Sequence, residues 1–237
     1  MSNALNHDLV EMLRATRRAE RDVFGALDPD VRDRPLREGD WSPKDHQAHL
    51  TAWKARQANR FQAVRTGEEL EPITDGEETD AINAELKAAR ADWDWASIDR
   101  EAEEVSERLE AQILATDPDL LRASERLVTG TFGNGAFHAM THFLWLMQAD
   151  IGADRERIEA FVNEVSDMTE RSSLSERDRG TAIYNNACYY ALAGDMDAAR
   201  SLLARAFRLR PDLAEFAPQD TDLTALWPEI EALAAAQ

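Results

Sequence analysis

Four of the five histidines in this 237-residue chain fall into two tight pairs, His46 with His49 and His138 with His142. Imidazoles four residues apart on a helix project from one side, the spacing that two-histidine metal sites use. His138 and His142 have it within F-H-A-M-T-H-F-L-W, with Trp145 in line. The glutamate that follows the first histidine in helical metallopeptidase sites is replaced by Ala139, so peptidase chemistry of that kind is excluded. Helices that bring the two pairs together would make a metal site.

The first pair sits in W-S-P-K-D-H-Q-A-H-L-T-A-W, Trp41 to Trp53. Ser42 suits an N-cap, Pro43 the first helical position, and Asp45 the acidic place of a capping box. A helix therefore starts at about Ser42 and runs to Thr66, where Gly67 stops it. His46, His49, Trp53, Arg56 and Arg60 share a stripe on it. Arg56 and Arg60 read as surface charge, or as partners for an anionic substrate if they reach the mouth of the site. Trp41 and Trp53 read as packing residues.

The elements that must position these side chains are helical throughout. Alanine, leucine, glutamate and arginine are abundant, glycine and proline are sparse, and 43% hydrophobic content supports a core. Leu5 to Leu27 has helical periodicity and ends at Asp28-Pro29. A turn-rich connection through Arg34-Pro35 and Gly39-Asp40 leads to the second helix. An acidic loop, Glu68 to Glu78 with Pro72, precedes a short helix over Thr79 to Asp92. Ser97 caps a third long helix to Ala115. Gly130, Gly133 and Gly135 mark the end of a loop from Asp119 to Asn134, with Thr131 or Asn134 as cap. A fourth long helix then runs to Val165. Such an order predicts an up-down four-helix bundle over residues 1–168, whose core can hold inward-facing ligands.

Residues 169–237 differ in character. Ala187, Tyr190, Gly194, Ala199, Leu203, Ala206 and Pro211 match the offsets of one tetratricopeptide-like helical hairpin, with Asp222 to Ala234 as a capping helix. One repeat leaves apolar faces to cover, so it leans on the bundle or on a second subunit.

A net charge of −19 argues against nucleic acid and anionic membranes as partners. No apolar run approaches a membrane span and no secretory signal is recognisable, so a cytoplasmic location is expected. The single cysteine, Cys188, reads as a buried thiol in the repeat.

Residues 5 to 165 resemble the DinB-like superfamily of four-helix-bundle proteins. Trp41, Ser42, Lys44, Asp45, His49 and Trp53 carry the resemblance, followed by His138 and His142. Asp80, Ile82 and Asn83 match a D-x-I-N element seen in a subgroup. The resemblance implies a three-histidine centre of His49, His138 and His142 holding a divalent transition metal, zinc or nickel first. It also implies transfer of a low-molecular-weight thiol to a small electrophilic substrate, or its hydrolysis. Three neutral imidazoles leave a coordination position open, which is the catalytic pattern. His46 stands where the family has an apolar residue; with Trp53, Trp145 and Arg56 it is a candidate for the second shell or the pocket. No aspartate or glutamate stands out as a general base. The alternatives are a non-catalytic small-molecule-binding or sequestering stress protein, or an adaptor or oligomerisation module using the repeat. Homodimerisation is a further expectation.

Overall fold

The computed structural model describes residues 3–37, 41–71 and 76–235. The expected turn at Gly39-Asp40 and Pro72 of the acidic loop lie outside them. Every element among the described residues is helical and none is a strand. No helix among them is long and apolar enough to cross a membrane. The chain packs as two compact units, 1–161 and 162–237. That division and the 168/169 division read from composition both fall within one helix, Arg155–Arg171.

In the first unit, α1 (Ala4–Ala26) buries Leu5, Leu9, Leu13 and Val23. Asp28 then caps a single turn, Pro29–Arg32, by accepting from the Asp30 amide at 2.8 Å. α2 (Pro43–Thr66) starts as its sequence dictates. The Ser42 hydroxyl accepts from the Asp45 amide at 3.1 Å, and the Asp45 carboxylate accepts from the Ser42 amide at 2.9 Å. Two amides without helical partners are thereby satisfied, a reciprocal cap worth about 1 kcal/mol or more. α3 (Gly76–Ala88) begins and ends earlier than its sequence suggests. α4 (Trp95–Ala115) is capped by Asp94, which accepts from the Ser97 amide, so Ser97 is the third helical residue and not the cap.

The loop expected before Asn134 is instead largely helical. A short helix, Pro118–Ala123, leads to α5 (Glu125–Phe132). Gly133–Phe137 continues it as a π-helical turn into α6 (His138–Gln148). The glycines do not break the helix here; they admit one residue more per turn, a distortion that recurs at functional sites. Neither Thr131 nor Asn134 caps it, and the Thr131 hydroxyl donates to the Leu127 carbonyl at 2.7 Å. The long helix expected to reach Val165 ends at Gln148, because Asp150 and Gly152 take positive φ angles of 52° and 83°. α7 (Arg155–Arg171) starts after that turn.

α2 packs on α4, and α1 on α4 and on the π turn, with α6 against both α1 and α2. Phe24, Leu50, Phe61, Ile98, Leu109, Leu127, Phe132 and Phe143 fill the space between them. Each side chain removed from water contributes about 1.5–3 kcal/mol. Gly130 permits one close approach, since a Cβ there would stand 2.5 Å from Gln57 Oε1.

A charged cluster also lies in this core. Lys54 Nζ donates to both carboxylate oxygens of Glu20 at 2.6 Å, and both side chains are about fully buried. Arg17, next to Glu20 on α1, reaches Asp99 at 2.6 Å and Glu103 at 3.0 Å on α4. Two buried charges are tolerable only when paired this closely.

In the second unit, α8 (Glu176–Ala193) packs on α9 (Met196–Leu209). Ala187, Ala199, Leu203 and Ala206 are completely buried between them. A Cβ on Gly180 would meet Arg210 Cβ at 2.8 Å, so α8 passes that backbone where only glycine fits. The capping helix expected from Asp222 is a 3-10 run, Thr221–Glu229, and only Ile230–Ala235 is α-helical. Pro228 inside the run lacks the amide an α-helix needs there.

Candidate metal centre

α2 supplies His46 and His49, and α6 supplies His138 and His142. The extra residue in the π turn sets the rotation of α6, about 100° per residue, and so decides which face carries its histidines. The four imidazoles converge in the first unit. His49 Nε2 lies 3.0 Å from His138 Nε2, and His46 Nδ1 lies 2.7 Å from His142 Nδ1. Ring centroids are 4.7 Å apart for His49 and His138, 4.8 Å for His138 and His142, and 5.0 Å for His49 and His142.

A nitrogen of each of His49, His138 and His142 lies within 4.8 Å of the others, so these three could hold a metal ion. Two imidazole nitrogens on one tetrahedral ion stand about 3.3 Å apart, given metal–nitrogen bonds of about 2.0–2.1 Å. The His49–His138 separation fits that. The protonation states fit too. Burial, then His46, lowers His49 to about 4. Burial first, then neighbouring positive charge, holds His138 and His142 well below the ordinary histidine value. For His138 that charge includes the buried Lys54. Neutral imidazole is the form that binds metal. With their Nε2 atoms towards the ion position, His49 and His138 keep Nδ1 buried without a hydrogen-bond partner, whereas the other nitrogen of His142 is met by His46.

His46 is buried and belongs to the site through His142, not as a member of the triangle. With Nδ1 of His142 engaged by His46, the nitrogen left for an ion is Nε2. The centre opens on a cavity of about 650 Å³ lined by Trp41, His46, His49, His138, His142 and Trp145, with Arg37, Asn83 and Gln148 among the polar groups. Trp145 lies 4.7 Å from the His142 ring at a tilt of 58°, and Trp41 stands edge-on 4.7 Å from that of His49.

Trp53 and Arg56 are placed elsewhere. Trp53 is buried, 6.2 Å from the His49 ring, and does not line the cavity. Its indole N–H donates to Asn83 Oδ1 at 3.1 Å, so it braces the α3 residue that does. Arg56 lies over Trp53 and pairs with Glu71 at 2.8 Å. Arg60 donates to Gln57 and is likewise absent from the lining. Sequence reading took Trp41 for a packing residue; its place one residue before the Ser42 cap is the signal that sets it beside the histidines. Comparison with family models, with curated proteins and with solved structures finds no match to this chain.

Proposed function

We propose that the chain is a metal-dependent enzyme of the DinB-like kind, a four-helix bundle followed by a tetratricopeptide-like hairpin. In this reading His49, His138 and His142 hold a divalent zinc or nickel ion and a small electrophile reacts in the cavity beside it. The observation that carries it is the convergence of three imidazoles, two buried and His138 half-buried, in the lining of an open pocket. A bound divalent ion would lower the pKa of a coordinated thiol or water and so supply a nucleophile at neutral pH.

The chain's own residues do the rest. His46 fixes the proton of His142 on Nδ1 and so presents Nε2 inward, as outer partners of metal-bound histidines do. Trp41 and Trp145 give the cavity apolar walls that exclude water from an incoming electrophile. A low-molecular-weight thiol would form a carbon–sulfur bond to the electrophile, giving its proton to solvent as the leaving group departs. Water in place of the thiol would give hydrolysis.

The deciding experiment is metal content by mass spectrometry on untagged protein beside His142→Ala. About one equivalent of a transition metal, lost in the variant, supports the reading. No metal after reconstitution with zinc and nickel refutes it. With metal established, conjugation of a model electrophile with thiols identifies the reaction.

A further inference from the structure

Three arginines gather on the first unit away from the histidine cavity. Arg56 and Arg60 come from α2 and Arg126 from α5. Arg56 Nη2 pairs with Glu71 Oε2 at 2.8 Å. Arg126 Nη2 donates to the backbone carbonyl of the same Glu71 at 2.7 Å. Arg60 Nη1 donates to Gln57 Oε1 at 3.1 Å, and the Gln57 amide donates in turn to the Arg126 carbonyl at 3.3 Å. Arg56 and Arg126 thus both meet Glu71, one at its carboxylate and one at its backbone carbonyl, and Arg60 is joined to them through Gln57.

All three arginines are half-buried. Among the described residues, Arg60 and Arg126 have no carboxylate partner. Nε of Arg56 and Nε of Arg60 are buried and donate to none of the described residues. The Arg60 guanidinium is held below its ordinary value by burial, then by Arg126 and Arg56, consistent with crowded like charges. Partly desolvated charges of one sign are unfavourable unless a counter-charge meets them. In a chain of net charge −19 this cluster still carries two more positive than negative groups. Guanidinium forks match the oxygens of carboxylate and phosphate, donating through Nε and Nη together.

We propose that Arg56, Arg60 and Arg126 form a binding site for a small, doubly charged oxyanion, separate from the histidine centre. The site offers the charge of three partly exposed guanidinium groups, against the single carboxylate of Glu71. None of the three lines the histidine cavity, so the proposal stands independently of any metal there.

The test is titration calorimetry with inorganic phosphate, then with succinate and acetate, in chloride buffers of constant ionic strength. Saturable binding of phosphate or succinate at one site, well above acetate, is expected, and the tighter of the two names the ligand chemistry. Arg60→Gln and Arg126→Gln should each weaken it about tenfold, the effect of losing one charge-assisted contact. Glu71→Gln removes a half-exposed competing carboxylate and should tighten it, which keeps the test valid even if an arginine variant folds poorly. His142→Ala should leave it unchanged. No saturable binding, or binding lost in His142→Ala and kept in Arg60→Gln, overturns the proposal.

Discussion

His46 and His142 meet nitrogen to nitrogen, Nδ1 to Nδ1, at 2.7 Å across the α2–α6 contact. Two neutral imidazoles can share such a contact only if one donates and the other accepts. When His142 presents its Nε2 lone pair to an ion, its proton sits on Nδ1, and His46 must accept it. His46 thereby fixes both the tautomer and the ring orientation of His142.

Replacing His46 should therefore weaken metal binding without removing a ligand. His46→Ala is expected to lower affinity about 10–100-fold, as loss of an outer partner does. His46→Asn should recover part of it, because its carbonyl oxygen can accept the same proton. Competition with a chromophoric chelator measures both. Equal affinity in the alanine variant and the parent would show that the contact orients nothing.

The pair Glu20–Lys54 predicts an asymmetry in stability. Burial lowers the Lys54 pKa and Glu20 opposes that shift. Glu20→Gln leaves an ammonium group buried beside a neutral amide and should cost about 3–5 kcal/mol in urea unfolding. Glu20→Leu with Lys54→Met should cost far less, since neither charge is then buried. A loss under about 1 kcal/mol in the single variant would mean that water reaches Lys54.

Acid should destabilise the metal-free protein in a defined window. The unfolded chain protonates histidine near 6.5, whereas burial holds His49 at about 4 and keeps His138 and His142 well below 6.5. Below pH 6.5 the unfolded state binds more protons than the folded one, so stability is full above that pH and falls as pH drops towards 4. His49 alone accounts for about 3 kcal/mol of the loss. Urea midpoints of chelator-treated protein between about pH 7.5 and pH 5 give the profile. A flat one would contradict it.

Cys188 should resist alkylation. Burial, then the carboxylates of Asp220 and Asp222, push its thiol well above the ordinary value, and its Sγ lies 3.6 Å from Asp220. Iodoacetamide at about pH 8 should label the native protein at least a hundredfold more slowly than urea-unfolded protein, because thiolate is the reacting form. Comparable rates would mean that the second unit opens readily at α8.

Local signals in the sequence served best where a few residues suffice. The Ser42–Asp45 cap is legible because both partners lie within one turn. The helical separation of His138 and His142 is legible for the same reason. The π turn was not, since three closely spaced glycines look the same before a loop and before a widened turn. His46 was ambiguous because α2 is buried on several faces, so periodicity does not reveal which one meets the site. The Glu20–Lys54 pair joins residues on two helices that composition treats as solvated charge. Arg126 fell in a stretch read as loop, which hid its approach to α2.

The widened turn at Gly133–Phe137 makes the histidine centre a matter of phase. Were those five residues wound as ordinary α-helix, α6 would follow α5 as one uninterrupted spiral, and His138 and His142 would swing about a quarter of a revolution away from His49. Every side chain needed for the cluster would still be encoded, at unchanged spacing within each pair. Substitutions that favour the ordinary winding, alanine at Gly133 and Gly135, would turn the histidines away while sparing every ligand, so inventories of histidines alone misjudge which chains of this build can assemble the centre.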